Sequence, residues 1–166
     1  MNFDFPDLSA YFWCIPIFVV LIIAFVAWIK FFFSEDNQTK IVTSKIKKYF
    51  GFLFEHGFKI DKVDVNGPNG AWMVVLRSEK CKIRIIEDRS YISCEIAPTW
   101  VGDKQYLSLP SILADIESKN KKSFIVQARK GVNYQLDFYG QLLRSHYNQV
   151  STFIDNYPRP FFTTFE

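Results

Sequence analysis

Apolar and polar positions divide this chain into a uniformly apolar start and an alternating remainder. From Leu8 to Ile29 no residue carries a charge. At ~1.5 Å per residue, a helix over that stretch covers the ~30 Å of a bilayer's hydrocarbon layer. Tyr11, Phe12 and Trp13 flank one end, and Trp28 and Phe31 to Phe33 the other, as interfacial aromatics do. The pattern predicts one transmembrane helix within residues 1–33, contacting the membrane through residues 8–33. Asp4 and Asp7 precede it without a Lys or Arg, whereas Lys30, Lys40, Lys45, Lys47 and Lys48 follow. That bias predicts the cell (inner) membrane, crossed once, with the N-terminus outside and the C-terminal domain cytoplasmic. A cleaved signal peptide would need a basic start and small residues before the cut, and neither occurs.

Past a polar connector at residues 34–38, Ile41, Val42, Ile46, Tyr49, Phe50, Leu53 and Phe54 recur at helical spacing, predicting a helix over 39–56 that stops at Gly57. Four alternating runs follow at 58–66, 71–77, 80–87 and 90–96, with turn residues between them. Two-residue loops at Ser78-Glu79 and Asp88-Arg89 set Ile83 opposite Cys94 and Ile85 opposite Ile92, and bring Trp72, Val74 and Leu76 onto the same apolar face. Ser108 and Pro110 mark the start of another helix. Leu136, Tyr139, Leu142, Leu143, Tyr147, Val150, Phe153 and Ile154 predict a last helix over about 133–156. The conformation of 98–107 and 120–132 is left open. The expected fold class is therefore α+β: a transmembrane helix, a helix, a four-stranded antiparallel meander and two C-terminal helices packed on one sheet face. Residues 39–158 form the soluble domain, and 159–166 a hydrophobic tail too short to span a bilayer.

Composition adds little chemistry. The formal charge is +3, and all 20 Lys and Arg lie at or after Lys30. They follow no nucleic-acid module, so no nucleic-acid partner is expected. Cys14, Cys81 and Cys94 show no CxxC spacing and read as buried thiols. His56 reads as a helix-end residue and His146 as a surface or interface residue, neither with ligand spacing. No P-loop, HExxH, GxSxG or GxGxxG is present, so no cofactor, metal or small-molecule ligand is expected, and the chain reads as a non-enzyme.

What remains is the second sheet face, where Met73, Val75, Arg77, Lys82, Arg84, Ile86 and Tyr91 mix apolar and basic side chains. These seven residues are the candidate partner-binding surface, for another protein or for self-association. Lys82 is expected opposite Glu95 there. The segments Leu53-Phe54-Glu55-His56-Gly57-Phe58, Cys81-Lys82-Ile83-Arg84-Ile85-Ile86-Glu87-Asp88-Arg89 and Tyr106-Leu107-Ser108-Leu109-Pro110-Ser111-Ile112-Leu113, with the helix at 136–143, resemble small bacterial domains of the immunity-protein type found in polymorphic toxin systems. The resemblance spans about residues 39–156 and implies a non-enzymatic binding module. The reading that follows is a membrane-anchored cytoplasmic protein-binding module, immunity-like or accessory. A structural subunit of a membrane complex and a small membrane-bound enzyme are the alternatives, the latter requiring a cleft that gathers His56 or His146 with a carboxylate.

Overall fold

The computed structural model describes residues 14–32, 34–67, 70–102, 105–118, 124 and 130–158. The chain divides into two compact units, residues 1–40 and 41–166.

In the first unit, helix α1 is Cys14–Phe32, followed by the opening turns of α2, Glu35–Glu55. Phe18, Leu21, Ile22 and Phe25 of α1 are exposed, and Phe25 stacks on Trp28 at 6.2 Å. Among the described residues no helix is long and apolar enough to cross a membrane. This corrects the expected transmembrane helix. The uncharged part of α1 runs only from Cys14 to Ile29, roughly 24 Å at ~1.5 Å per residue, against ~30 Å of hydrocarbon. Residues 8–13, which the expected span also needed, lie outside the described residues. The single-pass location and its topology lose their basis with it. Nor is 34–38 a connector, because Glu35 and Asp36 place negative charge on the first turn of α2, where the helix dipole favours it.

The second unit is α+β. Among its described residues five strands, β1 Lys59–Asp64, β2 Trp72–Arg77, β3 Cys81–Asp88, β4 Tyr91–Pro98 and β5 Leu107–Ser108, lie antiparallel in the order β1-β2-β3-β4-β5. The expected four-strand sheet is thus one strand short. β5 is only two residues long and sits where no periodicity can register, pairing Leu107 with Ile96. Among the described residues three helices follow the sheet strands: α3 Leu109–Glu117, α4 Val132–Ser145 and α5 Tyr147–Asp155. Ser108 caps α3 by accepting the Ser111 amide hydrogen, as its position next to Pro110 implied. The single long C-terminal helix is split at His146, whose backbone leaves helical geometry at φ −114, ψ 11.

Both hairpins turn one residue later than the sequence suggested. Val74 pairs with Ile85, Leu76 with Ile83, and Ile83 with Ile96, while Ile85 meets Cys94. The β3–β4 turn is Arg89-Ser90, both at positive φ, and Glu87 Oε1 accepts the Ser90 amide hydrogen at 2.7 Å. The register moves by two residues in each case. An even shift leaves every side chain on its expected face, so the apolar face survives intact. Leu76, Ile85, Ile92 and Ile96 on it are wholly buried, with Ile46, Phe50 and Leu53 of α2, Ile112 and Leu113 of α3, and Leu136, Tyr139 and Leu143 of α4 in the same core.

Two polar details fix this layer. Gln135 of α4 is fully buried, accepts from the Ile92 amide at 2.9 Å and donates to the Ser90 carbonyl at 2.8 Å, tying the helix to the hairpin. Gly140 lies so close to α2 that a Cβ there would stand 2.4 Å from the Tyr49 carbonyl oxygen. Only the absence of a side chain permits that approach, which occurs beside the kink at Phe50 in α2.

Candidate functional site

The outer sheet face is built by the alternate positions of the strands that line the core. Its β4 side is crossed by the chain leaving β4: Val101 is buried, and the Tyr106 ring lies 4.0 Å from the Arg84 guanidinium. Arg84 donates from Nε and Nη2 to Glu95 Oε2, at 2.8 and 2.6 Å. The ion pair expected for Lys82 therefore belongs to Arg84, because the shifted register sets Arg84 opposite Glu95 and Lys82 opposite Ala97. Lys82, only 8% exposed, donates to the Val101 carbonyl at 2.8 Å and lies 5.6 Å from the Tyr106 ring. A lysine held this way packs its stem in the sheet and keeps its ammonium hydrogen bonded.

On the β1 side the face stays open. Asp61, Lys62, Met73, Val75, Arg77, Lys82, Arg84 and Tyr106 bound a hollow of about 330 Å³. Five of the seven candidate surface residues (Met73, Val75, Arg77, Lys82 and Arg84) thus meet around one concavity. Ile86 is half-buried elsewhere on the face, and Tyr91 is exposed at the hairpin end, close enough to Tyr139 to help raise the phenol that burial has already pushed up. Val75, at 8%, is floor rather than contact surface. Asp61, Lys62 and Tyr106 were not foreseen: the first two sit at a bulge between Ile60 and Lys62, and Tyr106 reaches the face only because β5 returns the chain. Alternation alone reveals neither.

The histidines separate clearly. His146 Nε2 lies 2.7 Å from Glu117 Oε1, while Nδ1 lies 2.9 Å from the Leu142 carbonyl and 2.8 Å from Ser145 Oγ. Serine, histidine and carboxylate are thereby adjacent, yet the Leu142 oxygen can only accept. With its hydrogen on Nδ1 the ring donates to that carbonyl, and with its hydrogen on Nε2 toward Glu117 it accepts at Nδ1 from Ser145 Oγ, which also lies 3.0 Å from the Leu142 oxygen. In either form the ring closes the end of α4 and binds it to α3 through Glu117.

His56 stacks on Tyr147 at 4.1 Å and lines a second cavity of about 410 Å³, with Ser78, Glu79, Lys80, Cys81 and Ser151 among its other walls. A cleft does then hold His56 and a carboxylate as lining residues. Its thiol is unsuited to nucleophilic work, since burial pushes Cys81 up to about 11, and Cys94 in the core up to about 12. Lys80 closes the rim through Asp155 at 2.9 Å, a bond that raises its own pKa. Cys81 and Cys94 are both free thiols. Among the described residues no group of three or more His, Cys, Asp or Glu could hold a metal ion.

No family model, curated protein or solved structure matches the chain.

Proposed function

We propose that residues 41–166 form a non-enzymatic protein-binding module, immunity-like or accessory in role, that engages another protein or a second copy of itself through the outer sheet face. The observation that carries this reading is the asymmetry of the sheet. One face packs against the helices of the core, while on the other Met73 lines a hollow together with four cationic residues and Ile86 is half-buried elsewhere on the same face. Apolar side chains set among fixed charges suit a surface that is covered part of the time. The likeness of the four quoted segments to immunity-type domains supports a protein as the partner, and a toxin as the kind of protein to try.

Strand addition at a sheet edge is the less favoured route. β1 is interrupted by its bulge and carries Lys59 and Lys62, and β5 has two residues. Such edges resist pairing with another chain.

The test compares the full-length chain with a Met73→Asp, Ile86→Asp variant in affinity recovery and in light scattering. A stoichiometric partner or dimer should be present with the first and absent with the second, at equal thermal stability. Arg84 and Val75 are poor choices for this purpose, because one is held by Glu95 and the other is buried. Retention of the complex by the double variant would overturn the assignment.

A further inference from the structure

The hollow on the outer face has a chemistry of its own. Of its lining residues four are cationic, Lys62, Arg77, Lys82 and Arg84, and one is acidic, Asp61. Lys62 has Asp64 at 3.9 Å, both well exposed, a separation at which solvent takes most of the attraction. Arg84 is fixed between Glu95 and the Tyr106 ring. Arg77 is exposed at the end of β2 and makes no ion pair or hydrogen bond with the described residues. Met73 and Val75 supply an apolar floor, and Tyr106 an aromatic wall.

We infer that this hollow, bounded by Lys62, Arg77, Lys82, Arg84 and Tyr106, takes a carboxylate side chain from an acidic segment of a partner protein. The inference rests on the protein-binding reading above and names the chemistry of the partner. A glutamate fits both halves of the site, its methylenes lying on Met73, Val75 and Tyr106 while its carboxylate faces Arg77, whose planar guanidinium offers two parallel donors. The neighbouring positive charges add to the field in a partly desolvated concavity, where an ion interaction is stronger than on an open surface. Asp61 on the rim and Glu95 behind Arg84 weigh against the more highly charged phosphate group. The volume, about 330 Å³, suits a side chain or two and excludes a folded element, so the segment would lie across the face with one acid inserted.

The experiment is fluorescence polarisation with the full-length chain and a fluorescein-labelled peptide of four glutamates spaced by Gly-Ser, beside the same peptide with glutamines. The glutamate peptide should bind, the glutamine peptide should not, and raising the salt from 50 to 300 mM should weaken binding by on the order of tenfold. Arg77→Glu should abolish it, and Arg89→Glu, a reversal in the hairpin turn away from the hollow, should leave it within about twofold. Equal binding of both peptides, or full binding by Arg77→Glu, overturns the inference. So does competition by inorganic phosphate at concentrations where acetate is inert, since the anion would then be phosphate. The underlying reading is judged separately: a partner lost in Met73→Asp, Ile86→Asp but kept in Arg77→Glu leaves the surface standing without its acid pocket, whereas a partner kept by both variants removes the two together.

Discussion

The two faces of this sheet are made by the same strands, and they differ in what a side chain is there to do. On the helix side Leu76, Ile85, Ile92 and Ile96 are entirely buried. On the other side Met73, Arg84 and Ile86 are half-buried, and even buried Lys82 spends its ammonium on a carbonyl. The inner face is a core in which loss of volume is costly. The outer face is a framework of polar bonds holding a hollow open, and it tolerates changes that the inner face cannot.

Adjacent isoleucines on β3 provide the sharpest contrast. Ile85→Ala removes a fully buried side chain and should cost about 3 kcal/mol in chemical denaturation. Ile86→Ala, one residue on and facing outward, should cost under about 1 kcal/mol. Similar losses would mean that the outer face is also a core, covered by some part of the chain or by another copy. The helix layer has its own weak point at Gly140. Gly140→Ala places a methyl group 2.4 Å from the Tyr49 carbonyl oxygen, and backbone on both helices must move, for a loss of about 2 kcal/mol. A stability equal to wild type would show that α2 and α4 are farther apart than described.

Much of the α+β domain was legible because its signals are periodic. Alternation over 71–77 and 80–87 located strands, Ser108 with Pro110 located α3, and the inner face followed from parity alone. Parity also explains why the register could move by two without harm to that face. It could not distinguish Lys82 from Arg84 as the partner of Glu95, because both lie on the same face. The hollow needed Tyr106 and the bulge at Asp61, which depend on chain reversal and local irregularity, and sequence pattern carries no record of these. The split at His146 was hidden since its neighbours keep helical spacing on both sides. The apolar run near the N-terminus reads by length, but within the described residues its uncharged helical part covers Cys14 to Ile29, and no described helix is long and apolar enough to cross a membrane.

Alkali tests the inner face by a different means. Burial raises the Cys94 thiol from its ordinary 9.0 to about 12, so the unfolded chain releases that proton first. The contribution of Cys94 is complete below pH 9, declines above it, and is spent once the pH has passed about 12. At pH 10.5 the loss should reach roughly 2 kcal/mol. Cys94→Ala has no such proton, so the stability gap between wild type and this variant should narrow by that amount between pH 8 and 10.5. A constant gap would mean that the thiol ionises in place, and that the sheet's helix side is wetter than its burial indicates.

The smallest effect is the one that sets both faces at once. Arg89 and Ser90 hold positive φ, at 51° and 65°, which costs an ordinary side chain about 1 kcal/mol and glycine nothing. The bonds that secure the turn use the backbone of Ser90, its amide to Glu87 and its carbonyl to Gln135, so they persist without the side chain. Ser90→Gly should therefore stabilise the domain by about 0.5–1 kcal/mol, read as a rise in the denaturation midpoint at unchanged slope. Were the turn instead at Asp88-Arg89, residue 90 would open a strand, and glycine there would destabilise by a similar amount. The sign of this one change decides between the registers, and with it whether Glu95 faces Arg84 or Lys82 beside the proposed site.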